Sequence, residues 1–153
     1  DYLPEPYQQE FIKNGAKDEE TFWKELFAYS EKNKTIIVLA AGNDNMLTGF
    51  DPLQRAENTI KVGAVDEHNR KSKFSNYGTL TTLYAQGENI KVASTGNQTE
   101  ITQGTSFAAP IVTAFVVALK SKYPQFSSSQ IIAELKKNTI YQQQLAVLYN
   151  KTF

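Results

Sequence analysis

The chain has 153 residues, enough for one domain with its own hydrophobic core. Its 16 acidic and 16 basic residues balance, so the charge gives no reason to expect nucleic acid or an anionic membrane as a partner. Without cysteine the chain has no disulfides, no thiol catalysis and no cysteine metal site. No apolar run is long enough to predict a membrane span.

The first third of the chain predicts an irregular lead-in followed by a helix. Residues 1–17 mix prolines and aromatic residues without a period, which favours irregular structure. Asp18 precedes two glutamates and is predicted to cap a helix, because acids suit a helix N-terminus. The large apolar side chains of that helix share one predicted face, which indicates core packing: Phe22, Trp23, Leu26 and Phe27.

A short apolar run over 35–41 predicts a strand buried on both faces, as in parallel sheets. Asn43 follows its carboxyl end, and open α/β sheets bind ligands outside those ends. The side-chain amide of Asn43 is a neutral donor suited to an oxyanion. The alternative is a turn asparagine, because Gly42-Asn43 is also common turn chemistry.

Further strands are predicted over 59–65 and 80–85, and a hairpin over 90–94 and 100–102. His68, the only histidine, lies in a charged turn predicted after the first of these strands. A general base is one interpretation of His68, but its charged neighbours favour an exposed surface position.

Ser106 is predicted to stand at the start of a helix, where a glycine turn ends. The nine residues that follow Pro110 are apolar on every side, which predicts a buried helix. The free N–H groups of a helix N-terminus favour negative charge, so this is a suitable place for a nucleophile or a developing oxyanion. The alternative is a simple N-cap serine.

The last part of the chain predicts a second helix and an unassigned tail. Pro124 is predicted to end the serine helix, and Ser127 with Gln130 predicts a capping box for a helix that reaches about Asn138. The tail over 140–153 is compatible with either strand or helix.

Two of these stretches resemble motifs of the subtilisin-like serine proteases, the subtilases. Gly104-Thr105-Ser106-Phe107-Ala108-Ala109-Pro110 resembles the family's nucleophile motif, and Ala40-Ala41-Gly42-Asn43 resembles its oxyanion-asparagine motif. Three further segments follow in the family's order: Val62–Asp66, Phe74–Gly78 and Ala85–Gly87. The resemblance runs from about Glu20 to about Thr139.

The resemblance implies a partial three-layer α/β/α fold with a mostly parallel sheet and an endopeptidase acting on polypeptides. Ser106 would be the nucleophile and Asn43 the oxyanion donor. The implied substrate-binding residues are Ala40, Ala41, Gly42, Gly104 and Thr105. No cofactor is implied by a motif, although calcium is a family possibility, and secretion or a cell-envelope location is a family expectation.

The family's aspartate and His-Gly-Thr-type motifs have no counterpart in the sequence. We therefore expect residues 18–139 to be the matched core of the C-terminal portion of a catalytic domain, with 140–153 as a tail. The upstream half would be a partner, the strand over 35–41 would have an unpaired edge, and the chain alone would be inactive. Two departures, Ala114 for glycine and Gln86 for proline, do not themselves argue against activity.

Two other functions stay open from the sequence. One is a non-catalytic subtilase-like module that binds a peptide or protein partner. The other is a serine hydrolase in which a different residue has taken over as the base.

Overall fold

The structure, a computed structural model, describes residues 16–56, 58–142 and 145–148. Most of the predicted lead-in and the end of the tail lie outside these ranges. The helices are α1 (Ala16–Lys32), α2 (Thr105–Lys122) and α3 (Ser128–Lys137). The strands are β1 (Ile37–Ala40), β2 (Thr59–Val65), β3 (Leu83–Gln86), β4 (Ile90–Ser94), β5 (Gln98–Thr102), β6 (Thr139–Gln142) and β7 (Leu145–Leu148).

Five strands form one sheet in the order β1-β2-β3-β7-β6. The neighbours β1, β2, β3 and β7 run parallel, and only β6 runs antiparallel. The α/β fold class with a mostly parallel sheet is therefore confirmed. Among the described residues β1 pairs only with β2, so the expected unpaired edge is present.

The core lies between this sheet and α2. Alternate residues of β2 and β3 face the helix, as the two-residue period of a strand requires. The fully buried members of this cluster include Ile60, Val62, Leu83, Val112 and Leu119. Helix α3 packs against α2 and adds Ile131 and Leu135 to the same cluster. The intervening positions of the strands face the other way, where Val65, Tyr84 and Val147 form a smaller cluster.

Two predictions about burial are wrong for the described residues. Strand β1 is half-buried along its whole length, not buried on both faces, because it lies at the sheet edge. Helix α2 has an exposed face that includes Pro110, Ala114 and Val117, whose exposed fraction is 59%. That face lies opposite the sheet, and no described element covers it.

Helix α1 also differs from its prediction. It begins at Ala16, so Asp18 lies inside the helix and is not its N-cap. Phe27 is buried, but Phe22 is 57% exposed and packs its ring against Trp23 at 5.0 Å. Leu26 is exposed as well, because the helix contacts the rest of the described fold mainly through the short 3-10 helix Pro52–Arg55.

The elements from β4 onward agree more closely with the predictions made from the sequence. The predicted hairpin is formed by β4 and β5, with Gly96 and Asn97 at positive φ in its turn. Ser127 and Gln130 form the predicted capping box of α3. The described part of the tail is a hairpin, β6–β7, whose second strand extends the sheet beside β3.

Candidate active site

Asn43 lies in the turn that follows β1, on the exposed side of the fold. The turn is possible because Gly42 adopts φ +104°, a conformation that side-chain-bearing residues rarely adopt. A Cβ at Gly42 would lie 2.3 Å from Nδ2 of Asn76, so glycine is also required by space. The chain therefore turns sharply and presents Asn43 beyond the carboxyl end of the edge strand.

Ser106 lies in the first turn of α2 and is exposed. Gly104 is the N-cap at φ +146° and donates its N–H to the carbonyl of Gly87 at 2.8 Å, which joins the helix start to the end of β3. The N–H of Ser106 is one of the first four of the helix, which have no acceptor within it. No described residue accepts a hydrogen bond from this N–H or contacts the Ser106 hydroxyl.

Thr105 joins the two predicted motifs. Its backbone N–H and its hydroxyl each donate to Oδ1 of Asn43 at 2.9 Å. The same hydroxyl accepts the N–H of Gly42 at 3.3 Å. Because Thr105 precedes Ser106 directly, these bonds place Asn43 beside the start of the serine helix.

The orientation of the Asn43 amide follows from these bonds. A backbone N–H can only donate, so the group that faces Thr105 must be the amide oxygen. The Nδ2 donor then points away from Thr105, and a Cβ built on Gly104 would lie 3.7 Å from it. No described residue accepts a hydrogen bond from Nδ2. The site thus presents an available amide donor and an available serine hydroxyl at one helix mouth.

Two buried side chains hold the turn from behind. Asn76 accepts the N–H groups of Asp44 and Met46 at its Oδ1 and donates from Nδ2 to the carbonyl of Ala41. Gln54 donates to the carbonyls of Ala40 and Ala41 at 3.1 and 2.8 Å. The backbone between β1 and Met46 is therefore bonded to amide side chains at Ala40, Ala41, Asp44 and Met46.

A lysine ties the same region to the loop after β2. The ammonium of Lys71 donates to the carbonyls of Ser72 and Ser75 and to Oδ1 of Asn45, all at 2.9–3.0 Å. Burial lowers the pKa of Lys71. Lys71 and Tyr84 also line an open hollow of about 730 Å³, but Ser106 and Asn43 do not line it, so the hollow and the candidate site are separate.

The structure brings the predicted site residues together, with different exposures. Ala41 and Thr105 are fully buried, so their side chains hold the site together and have no surface to offer a ligand. Gly104 is buried too, whereas Ala40 and Gly42 are partly exposed.

His68 lies in the turn after β2, as predicted, and its side chain is exposed. Its Nδ1 is 3.9 Å from Oε1 of Glu67, and its backbone N–H donates to Asp66. No described contact joins His68 to Ser106. In the described ranges no three His, Cys, Asp or Glu side chains gather as a metal site, and no helix is both long and apolar enough to cross a membrane.

Sequence reasoning missed the supporting roles of Asn76 and Gln54. The segment Phe74–Gly78 resembled the family, but the resemblance assigned no role to its asparagine. Gln54 lies in the polar segment between β1 and β2, and its amide is nevertheless buried. No local pattern marks either residue, because their partners lie 13 to 35 positions away along the chain.

The fold is a mostly parallel α/β sheet with helices, and its candidate site joins the motif that holds Asn43 to the one that holds Ser106. The model of the subtilase family matches residues 10–150, which is nearly the whole chain, so the chain belongs to the subtilase family.

Comparisons with individual proteins agree with this family assignment. The chain is 40% identical over 94 residues to a thermophilic serine proteinase of Bacillus sp. (strain AK1), which is 61% of this chain and 23% of that protein. It is 31% identical over 107 residues to subtilisin BL of Lederbergia lenta, which is 70% of this chain and 40% of that protein. The chain thus spans less than half the length of these curated relatives.

Solved structures show the same architecture. A cold-adapted subtilisin-like serine proteinase superimposes with a TM-score of 0.75 at 22% identity, over 82% of this chain and 49% of that chain. The self-cleaved protease domain of PatA gives a TM-score of 0.71 at 27% identity, over 83% and 51% of the two chains. The subtilisin-like fold therefore extends over most of the chain.

Proposed function

We propose that this chain carries the nucleophile and the oxyanion site of a serine endopeptidase that cleaves polypeptides. The observation that supports this proposal most directly is the pair of hydrogen bonds from Thr105 to Oδ1 of Asn43, which turns the Asn43 amide N–H₂ away from Thr105, the residue directly before Ser106. If Ser106 served only to cap the helix, an oriented amide at Asn43 would not be needed. A fixed, outward-facing amide donor next to an unpartnered hydroxyl fits acyl transfer.

In the proposed reaction, Oγ of Ser106 attacks the carbonyl carbon of a peptide bond while a base takes its proton. The carbonyl oxygen becomes an oxyanion that accepts hydrogen bonds from Nδ2 of Asn43 and from the N–H of Ser106. The N-terminal end of α2 adds a favourable dipole to this developing charge. The partly exposed residues Ala40 and Gly42 would line the pocket for the side chain before the cleaved bond, and no cofactor takes part.

We propose that the base and the carboxylate that orients it come from a segment outside these 153 residues. His68 lies in the turn after β2, and 66% of its side chain is exposed. The chain spans 40% of subtilisin BL and 49% of the cold-adapted proteinase chain, so both relatives have room for further catalytic groups. Losing the histidine of subtilisin, a member of this family, costs roughly 10⁶ in kcat. Hence we expect the chain alone to be essentially inactive.

A fluorophosphonate probe tests the nucleophile. An activated serine Oγ bonds to phosphorus and releases fluoride, whereas an unactivated serine does not react. We expect labelling of the complete protein, loss of labelling in Ser106→Ala, and full labelling in the control Ser121→Ala, an exposed serine of the same helix. The 153-residue chain alone should stay unlabelled.

The other outcomes identify the competing functions. Absence of labelling in the complete protein would reject the peptidase and favour a module that binds a peptide without cleaving it. Labelling of the isolated chain that disappears in His68→Ala would instead show that His68 is the base.

The exposed face of α2 supports the domain assignment. Ser106, Pro110, Ala114 and Val117 form one exposed stripe on a helix whose other side is the core. We propose that the upstream part of the same catalytic domain covers this stripe and pairs with the free edge of β1. Exposed apolar faces and unpaired apolar edges are features that folded domains normally cover.

Val117→Lys tests this assignment, with Ile101→Lys as its control because Ile101 is 73% exposed on the β4–β5 hairpin. In the isolated chain both variants should unfold within about 0.5 kcal/mol of the parent. In the complete protein Val117→Lys should lose roughly 3 kcal/mol or more, because its charge would be buried and unpaired. Equal, small effects of Val117→Lys in both contexts would mean that the stripe remains exposed.

A further inference from the structure

Asn76 directs its backbone N–H and both polar atoms of its side chain to the turn that carries Asn43. Its backbone N–H donates to the carbonyl of Gly42 at 3.0 Å. Its Nδ2 donates to the carbonyl of Ala41 at 2.9 Å, and its Oδ1 accepts the N–H groups of Asp44 and Met46 at 3.0 and 3.1 Å. The side chain is 4% exposed. These four bonds hold residues that precede and follow Asn43 in the sequence. None of them involves Asn43 itself.

The shape of the turn depends on the same side chain. Gly42 takes φ +104°, and the space where a Cβ would project is occupied by the Asn76 amide. The two residues are therefore complementary: the absence of a side chain at one makes room for the amide of the other. A shorter side chain at position 76 would leave the N–H groups of Asp44 and Met46 without this acceptor and the Ala41 carbonyl with only its bond from Gln54. The loss of these bonds favours a rearrangement of the turn.

The proposed oxyanion donor has few constraints of its own. Asn43 is exposed, and its described side-chain bonds all go from Thr105 to Oδ1. An oxyanion donor is effective only when it is fixed before the reaction, because reorganisation during the reaction would cost part of the stabilisation. The bonds of Asn76 hold the backbone immediately before and after Asn43, the position from which Asn43 reaches Thr105.

We infer that Asn76 is a positioning residue that presets the oxyanion donor Asn43. The expected effect of Asn76 on catalysis rests on the proposed function. Its positioning of the turn that carries Asn43 does not. Asn76 does not touch the substrate or Ser106 and acts through the turn over residues 41–46.

Amide hydrogen exchange on the 153-residue chain tests the structural part. The N–H of Thr105 is bonded to Asn43 and not to Asn76. If Asn76 positions Asn43, Asn76→Ala will accelerate exchange at Thr105 by tenfold or more, as Asn43→Ala will. The control Asn138→Ala, which removes a side-chain bond to Glu134 at the end of α3, should leave Thr105 unchanged. Faster exchange at Asp44 and Met46 with no change at Thr105 would overturn the inference.

Kinetics of the complete protein test the catalytic part. Removing the oxyanion asparagine of subtilisin costs about 10²–10³ in kcat, so we expect a loss of that size in Asn43→Ala. Displacement of a catalytic group by about 1 Å costs roughly 10²-fold, so Asn76→Ala should lower kcat by about that factor with little change in KM. Asn138→Ala should change neither.

The double variant distinguishes positioning from general destabilisation. If Asn76 acts through Asn43, Asn43→Ala/Asn76→Ala will be no slower than Asn43→Ala alone. Multiplicative losses would overturn the inference. An unchanged kcat in Asn43→Ala would reject the proposed oxyanion role, while the exchange result would still decide whether Asn76 positions the turn. Should Asn76→Ala not fold, Asn76→Asp replaces it in both experiments, since a carboxylate keeps the acceptor for Asp44 and Met46 and loses the donor to Ala41.

Discussion

Thr105 binds one atom of Asn43 twice, since its N–H and its hydroxyl both lie 2.9 Å from Oδ1 of that amide. Thr105 is fully buried, whereas Asn43 and Ser106 on either side of it are exposed. A buried residue thus fixes the orientation of the exposed Asn43 amide. Because the sequence separation is 62 residues, this contact also ties the turn after β1 to the first turn of α2.

Thr105→Val tests the two hydrogen bonds of the threonine hydroxyl separately from the shape of the side chain. Valine keeps the branched side chain but leaves the N–H of Gly42 without its described acceptor and Asn43 with one bond instead of two. An unsatisfied buried N–H costs about 1–3 kcal/mol, and we expect a loss of that size in the free energy of unfolding measured with urea. The control is Thr113→Val on the exposed side of the same helix, expected within about 0.5 kcal/mol of the parent. A parent-like Thr105→Val would contradict the described network.

Gly42→Ala and Gly96→Ala form a matched pair that separates backbone strain from crowding. Both glycines have positive φ, so a side chain costs about 1–2 kcal/mol at either position. A Cβ at Gly42 would also lie 2.3 Å from Asn76, whereas nothing lies within 4 Å of one at Gly96. Overpacking adds about 1–3 kcal/mol, so Gly42→Ala should be the less stable variant by that difference in urea unfolding. Equal losses would show that Asn76 moves aside freely.

Much of the fold was predictable because its signals are local. The apolar run before Asn43, the caps of α3 and the glycine turn before Ser106 are each set by neighbours in sequence, and all three were predicted at or near their observed places. The two exposed site residues were predictable for a different reason. They lie in short motifs that resemble the subtilases, and the structure brings these motifs together.

The support of the site was not predictable from such signals. Asn76 lies in a loop and Gln54 in a short 3-10 helix, and only the three-dimensional path of the chain shows that their amides are buried against the turn after β1. The exposed faces of α1 and α2 were missed because a hydrophobic pattern indicates which residues favour burial. It does not indicate which neighbour is present to cover them, as Phe22 and Val117 show.

Val116 and Val117 are adjacent in α2, but only Val116 is buried, since 4% of it is exposed against 59% of its neighbour. Val116→Ala removes two buried methyl groups and should cost roughly 2 kcal/mol in the free energy of unfolding. Val117→Ala should change the stability of the isolated chain by about 0.5 kcal/mol at most. Chemical denaturation of both variants measures this contrast. A loss at Val117 as large as that at Val116 would mean that the isolated chain covers the outer face of α2 in solution, for instance by self-association.

Asp66 should make the stability of the chain depend on pH below about pH 4. Desolvation raises the pKa of this carboxyl, but hydrogen bonds from the backbone and side chain of Arg70 and from the N–H of His68 outweigh it, so the pKa lies below its usual value of 3.8. A carboxyl whose pKa is lower in the folded state stabilises the fold above its unfolded pKa. That contribution is lost as pH falls from about 4 through the folded value. In Asp66→Asn the titrating group is absent, so the difference in unfolding midpoint between parent and variant should be constant near neutral pH and shrink below pH 4. Thermal unfolding from pH 7 to pH 2 measures this difference, and one that stays constant over the whole range would show that the bonds from Arg70 do not favour the ionised form.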